Sequence, residues 1–142
     1  MASLKCLTCA KGCSACFGSG ANQCTKCKQD VVNSVATEFY LIHLTNQCST
    51  VCPSNQYSNL TSHLCLLCDA NCLTCVTSST HCLSCGFNTL AVANLFLHNN
   101  RCLLTCPDGL YANLLNHQCT LCPTGCALCF GGSVGQCTKC QT

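Results

Sequence analysis

Cysteine is the residue type whose number and spacing in this sequence could support chemistry. The 142 residues include 22 cysteines, many of them in Cys-x2-Cys pairs such as Cys6/Cys9 and Cys24/Cys27. Cysteines at this spacing can bind zinc as thiolates, exchange with other disulfides, or be crosslinked to one another. The pattern of the remaining residues decides among these three chemistries.

The cysteines follow a register that recurs after 59 and then 54 residues, starting at Cys6, Cys65 and Cys119. Each copy reads Cys-x2-Cys-x3-Cys-x2-Cys-x6/7-Cys-x2-Cys, and the first two copies continue through a longer gap to Cys-x3-Cys-Pro. Other residues recur as well, since the segment 17–27 matches 130–140 at most positions. We therefore predict tandem repeats over 6–64, 65–118 and 119–142, the third incomplete and continuing further.

Two apolar segments between the cysteine clusters predict the elements that hold the framework. Residues 31–44 are rich in β-branched and aromatic types with a polar break at Asn33-Ser34, which predicts a β-hairpin, and residues 89–98 are the shorter equivalent. We expect loops held by crosslinks elsewhere, with a tight turn at Pro53 and Pro107 before Tyr57 and Tyr111. The fold class predicted is a small disulfide-rich protein, an extended rod of tandem cysteine-rich repeats with short β-hairpins and little or no helix.

Composition argues against several functions. Only 7% of residues are charged and the net charge is +2, so we expect no nucleic-acid partner. The apolar runs are far too short to span a bilayer, so we expect no membrane contact within this segment. The side-chain carboxylates (Asp30, Glu38, Asp69 and Asp108) form no recurring pair, and no serine, histidine and acid set stands out, so we predict that the chain is not an enzyme.

Zinc binding is the alternative use of the cysteines. Against it, Cys9 and Cys13 are too close to belong to independent zinc-binding pairs, and Cys48-x3-Cys52 has no obvious partners. His63 and His117 share one repeat position, while His43 and His98 share another, which fits inherited surface positions better than ligands. We predict no metal or other cofactor, although covalent glycans remain compatible with the sequence.

The cysteine order, followed by Cys-x3-Cys-Pro, a turn and Tyr57 or Tyr111, resembles the furin-like, growth-factor-receptor cysteine-rich repeats. It looks closest to the long tandem forms in surface proteins of ciliates and other protists. The resemblance spans Cys6 to Cys140, and the chain departs from the family pattern in its scarce charge and its apolar hairpins.

Disulfide pairings are implied by this resemblance and not by spacing alone. The implied pairs are Cys9–Cys16, Cys13–Cys24, Cys27–Cys48, Cys52–Cys65, Cys68–Cys75, Cys72–Cys82, Cys85–Cys102, Cys106–Cys119, Cys122–Cys129 and Cys126–Cys137. Cys6 and Cys140 remain for bonds to further repeats or to another protomer.

The absence of an apolar signal-like segment before Cys6 fits either a cytosolic metal protein or a window cut from a longer extracellular array.

A disulfide-rich chain with so little charge should have an adhesive surface. Self-association could cover it, and we predict an assembly surface formed by Val31, Val32, Phe39, Tyr40, Leu41, Ile42, Leu95, Phe96 and Leu97. Glycans could also cover it. The candidate attachment residues are Asn59, in the acceptor sequence Asn59-Leu60-Thr61, and the hydroxyls of Thr77, Ser78, Ser79 and Thr80.

The sequence thus favours an extracellular or cell-surface structural protein, a segment of a surface coat or of a glycan-covered fibre that associates with itself. The alternative is a stalk or ligand-binding module of a receptor or adhesin ectodomain, which would have a protein ligand. An intracellular zinc protein is a third and weaker interpretation.

Overall fold

The computed structural model describes residues 7–32, 35–88 and 93–141. Within these ranges the chain forms short strands and a single-turn 3-10 helix at Val134–Gln136. In the described residues, no helix is long and apolar enough to cross a membrane. The strands are β1 (Cys13–Cys16), β2 (Cys24–Cys27), β3 (Gln29–Val32), β4 (Val35–Glu38), β5 (Tyr40–Ile42), β6 (Gln47–Ser49), β7 (Gln56–Asn59), β8 (Leu64–Leu67), β9 (Cys72–Cys75), β10 (Cys82–Cys85), β11 (Phe87–Asn88), β12 (Ala93–Asn94), β13 (Phe96–His98), β14 (Arg101–Leu103), β15 (Leu110–Asn113), β16 (Gln118–Leu121), β17 (Cys126–Cys129) and β18 (Cys137–Cys140).

The chain divides into two compact units, the first ending at Leu67 and the second beginning at Cys68. The first unit contains the two-stranded sheets β1–β2 and β3–β4 and a four-stranded sheet in the order β6-β5-β8-β7. The second contains the two-stranded sheets β9–β10, β11–β12 and β17–β18 and a four-stranded sheet in the order β14-β13-β16-β15. The two four-stranded sheets have the same order, so the sequence repeat is also a structural repeat.

The six-cysteine segments are strands, and the prediction that they are loops is wrong. In each copy the second and third Cys-x2-Cys pairs form antiparallel strands, with Cys13 opposite Cys27 and Cys16 opposite Cys24 in the first. The register is irregular between these partners, which indicates a bulged pairing. Strands of only four residues form here because the disulfides already hold these segments together, and backbone pairing then satisfies their peptide groups.

The first apolar hairpin is shorter than predicted. Strands β3 and β4 pair antiparallel and connect through residues 33 and 34, which lie outside the described residues. After Glu38 the chain leaves this hairpin, and β5 pairs antiparallel with β6 and in parallel with β8 at Leu41 and Leu64. In the second unit, residues 89–92 of the predicted hairpin lie outside the described ranges, while β13 pairs with β14.

Turn geometry follows residue type at two predicted positions. The amide of Gln56 donates to the carbonyl of Pro53, and that of Leu110 donates to Pro107, so each proline opens a turn that leads into the tyrosine strand. Gly109 has a φ of +84°, which a glycine adopts without strain. Asn55, at the same repeat position, stays outside the positive-φ region, so the two turns differ in backbone conformation.

Disulfides supply most of the interior. Eight of the twelve buried hydrophobic residues in the described ranges are cysteines, and the other four are Tyr40, Leu41, Leu95 and Phe96. In the first unit Leu41 packs with Cys13, Cys24 and Cys27, and half-buried side chains such as that of Phe39 surround this cluster. The repeats are therefore held by crosslinks around a very small apolar core, as expected for secreted domains with few apolar residues.

Candidate disulfide framework and exposed surface

Ten disulfides connect the described residues. They are Cys9–Cys16, Cys13–Cys24, Cys27–Cys48, Cys52–Cys65, Cys68–Cys75, Cys72–Cys82, Cys85–Cys102, Cys106–Cys119, Cys122–Cys129 and Cys126–Cys137. These are the pairs that the family resemblance implies. Cys140 is exposed and unpaired, and Cys6 lies outside the described residues.

The framework brings sulfur atoms together at one place in each unit. The sulfurs of Cys13, Cys24 and Cys48 lie within 4.8 Å of one another, and a group at the same repeat position, formed by Cys72, Cys82 and Cys102, does the same in the second unit. Every sulfur in both groups belongs to a disulfide. A zinc site needs deprotonated thiolates, so neither group fits the metal in this bonded form.

The carboxylates that the structure describes have local roles. The hydroxyl of Tyr40 donates to Oε2 of Glu38 at 2.7 Å. That hydrogen bond, together with burial and the negative charge of Glu38, raises the pKa of Tyr40. Oδ1 of Asp69 accepts the Asn71 amide at 3.0 Å, and the side chain of Asp30 lies outside the description.

His63 and His117 occupy matching positions in the two units. Both have positive φ, at 53° and 54°, and each carbonyl accepts the amide of a β5 or β13 residue, Leu41 or Leu97. The His63 ring stacks on that of Tyr40, with 6.3 Å between the ring centroids. The His117 ring stacks on that of Phe96 in the same way, at 6.4 Å. The recurrence of these histidines thus has a structural explanation in the turn and in the ring contact.

The predicted assembly surface is only partly available. Tyr40, Leu41, Leu95 and Phe96 are buried within their own units, so their assignment to an exposed surface is corrected. Leu41 faces inward because it packs with the disulfide cysteines Cys13, Cys24 and Cys27. Three other members are half-buried: Phe39, Ile42 and Leu97. Two more, Val31 and Val32, belong to β3, and their side chains lie outside the description.

Other apolar side chains are exposed instead, and the sequence interpretation missed them. Those in the described ranges are Leu7, Phe17, Leu44, Val51, Leu60, Leu67, Leu73, Val76, Leu83, Phe87, Leu104, Leu114, Leu115, Leu121, Phe130 and Val134. Leu115 is 96% exposed and Leu114 is 66% exposed, both in the turn between β15 and β16. Repeat alignment could have found them, because Leu114 matches Leu60 in the equivalent turn.

The glycan candidates lie in two turns of different character. Asn59 ends β7 and is half-buried, and its Oδ1 accepts the amides of Thr61 and Ser62. The other four lie in the connection between β9 and β10: Thr77, Ser78, Ser79 and Thr80. All of these except Ser79 are exposed, and Thr77 has a φ of 61°.

Similarity to known proteins supports the same framework. The chain is 32% identical over 134 residues, 88% of its length, to cysteine repeat modular protein 2 of Tetrahymena thermophila. It is 33% identical over 136 residues to rat proprotein convertase subtilisin/kexin type 5, covering 96% of the chain, and 30% identical over 130 residues to human type 6, covering 89%. The regions of these relatives that match the chain are furin-like cysteine-rich repeats, so the predicted resemblance is confirmed at modest identity. No family model matches it.

The chain corresponds to a small part of each of these relatives. The chain spans 6% of the Tetrahymena protein, 7% of the rat convertase and 12% of the human convertase. The similar regions of the convertases are their cysteine-rich parts and not their catalytic domains. With ten disulfides, these similarities favour an extracellular or cell-surface, non-catalytic domain.

Proposed function

We propose that this segment is a non-enzymatic structural part of a cell-surface coat or glycan-covered extracellular fibre, in which copies of the chain associate with one another. The observation that carries this proposal is the exposure of Leu114 and Leu115 in a chain with 7% charged residues. Adjacent exposed leucines in a weakly charged surface favour association, because burying them removes apolar area from water.

The position of these leucines supports association through a strand edge. They directly follow β15, which lies at the edge of the four-stranded sheet β14-β13-β16-β15. An edge strand presents unpaired peptide groups that can pair with another chain. A second copy is thus the occupant that we propose for the β15 edge and its leucine turn.

Sedimentation velocity over a concentration series, with electron microscopy of the same oxidised samples, tests the proposal. We expect the wild-type protein to form oligomers or filaments, and the double variant Leu114→Ser/Leu115→Ser to sediment as a monomer at the same concentrations. Leu44→Ser is the matched control, because Leu44 is 85% exposed but lies in the first unit, whereas β15 belongs to the second. A wild-type protein that stays monomeric throughout would overturn the assembly proposal.

A groove in the second unit favours a second candidate, a stalk or ligand-binding module of a receptor or adhesin ectodomain. It has a volume of about 350 Å³, and its lining includes Asp69, Asn71, Thr80 and Arg101. A monomeric protein that binds cells, and loses that binding in Arg101→Ala, would favour this candidate. Gln47→Ala is the control, since Gln47 begins β6 as Arg101 begins β14.

A further inference from the structure

The turn after β7 contains the one Asn-x-Ser/Thr sequence of the chain, Asn59-Leu60-Thr61. Leu60 and Thr61 are exposed at this turn, and neither the middle residue nor Ser62 is proline. The acceptor sequence therefore lies where an enzyme can reach it, in a surface turn of the kind in which such sites are used.

The local hydrogen bonds hold the Asn59 side chain in one orientation. Its Oδ1 accepts the Thr61 amide at 3.0 Å and the Ser62 amide at 2.9 Å, which is an Asx turn. Within the described parts of the chain, Nδ2 of Asn59 has no hydrogen-bond partner. The carbonyl side of the amide is thus fixed by the protein while its nitrogen remains available.

The second unit contains the same turn without the acceptor chemistry. Asn113 ends β15 as Asn59 ends β7, and its Oδ1 accepts the amide of Leu115 at 3.0 Å. Leu115 takes the place of Thr61, so the hydroxyl required two residues after asparagine is missing. The chain thus carries one turn with the hydroxyl and one closely matching turn without it.

We infer that Asn59 is an N-glycosylation site, and that its glycan covers Leu60 and the end of the β7 edge while the β15 edge stays bare. The donor is an activated oligosaccharide pyrophosphate of the secretory pathway, used by its transferase. Nδ2 forms a bond to the anomeric carbon of the sugar, the bond from that carbon to the pyrophosphate breaks, and one Nδ2 proton passes to a base. This inference rests on the proposed extracellular function, because the donor is met only on the secretory route.

Intact mass of the full chain, secreted from a eukaryotic host, tests the inference. We expect a mass above the polypeptide value that falls, after treatment with an N-glycan-releasing amidase, to about 1 Da above that value, because the amidase converts Asn59 to aspartate. Thr61→Ala should lack the added mass, and Thr61→Ser should retain it. Thr61→Ala is preferred to Asn59→Gln because it preserves the Asx turn, which uses the backbone amides of residues 61 and 62 and not the Thr61 side chain.

A gain-of-site variant makes the test independent of any loss of folding. Leu115→Thr creates an acceptor sequence at Asn113 in the equivalent turn, and we expect a second glycan in this variant. Secreted protein with oxidised cysteines but no amidase-sensitive mass would overturn the glycosylation inference and leave the extracellular proposal standing. Protein with reduced cysteines that is not secreted would instead count against the proposed extracellular function itself, and the inference would fall with it.

Discussion

The Cys27–Cys48 disulfide should contribute more stability than any other crosslink of the first unit. It closes a span of 21 residues, against 7 for Cys9–Cys16. In the chain-entropy model these spans correspond to about 3.3 and 2.4 kcal/mol at 25 °C. The difference should widen when the other disulfides stay intact in the unfolded chain, because Cys13–Cys24 overlaps the span of Cys9–Cys16 and already restricts it, whereas no described crosslink overlaps the 27–48 span.

Native-state hydrogen exchange of the Leu41 amide measures this difference inside the first unit. That amide donates to the carbonyl of His63 at 2.9 Å, so it exchanges only when β5 separates from the turn before β8. Replacing Cys27 and Cys48 by alanine should speed its exchange roughly 200-fold, which corresponds to a loss of about 3.3 kcal/mol in the free energy of opening. Replacing Cys9 and Cys16 should speed it roughly 50-fold at most, which corresponds to a loss of about 2.4 kcal/mol.

The second unit provides an internal control for the same reasoning. The disulfide Cys85–Cys102 spans 17 residues, for which the model gives about 3.1 kcal/mol. The corresponding amide is that of Leu97, which donates to the carbonyl of His117 at 2.8 Å. Equal effects of the long-span and short-span double variants, or a larger effect of the short one, would refute the argument from loop length.

Three further predictions concern single side chains. The pKa of Tyr40 is raised in the folded state, so its contribution to stability is present below the ordinary tyrosine pKa and is lost as pH rises through the higher folded value. Glu38→Gln should lower the midpoint of Tyr40 ionisation. An ultraviolet titration measures this midpoint in a protein whose other two tyrosines are replaced by phenylalanine. Leu41→Ala should cost about 2–5 kcal/mol in denaturant unfolding, and a cost under 1 kcal/mol would show that the disulfides alone hold the fold. Gly125→Ala, at φ +82° with open space around it, should lower the free energy of unfolding by roughly 1–2 kcal/mol. Gly12→Ala should lower it more, because its new methyl would also lie 3.1 Å from the ring of Phe39. Equal losses in denaturant unfolding would contradict this steric argument.

The repeated sequence between cysteines was the most informative signal, and the structure gives its reason. In the first and third copies a backbone bond joins the ends of the loop, Phe17 to Gln23 and Phe130 to Gln136. The glutamine side chain folds back over a glycine, where any side chain would collide with its amide. A glycine followed five residues later by glutamine therefore identifies one loop in both copies.

Strand pairing in the cysteine segments was not predictable in the same way. Short runs such as Cys13–Cys16 and Cys24–Cys27 lack the apolar alternation that indicates a strand, because their inward residues are cysteines and their outward residues are small or polar. The direction of the hairpin side chains was also misjudged. Apolar runs predict strands, but which residues face the disulfides depends on the parallel contact of β5 with β8, which the sequence does not reveal.

The central claim is that crosslinks take the place of a large apolar core, and alkylation of the unreduced protein under denaturing conditions tests it most directly. The ten disulfides use all but two of the 22 cysteines, so the native chain should take up no more than two alkyl groups. Peptide mapping without reductant should then recover Cys27 linked to Cys48 and Cys85 linked to Cys102. Uptake of about twenty alkyl groups would contradict the account and would favour a thiolate protein that binds metal.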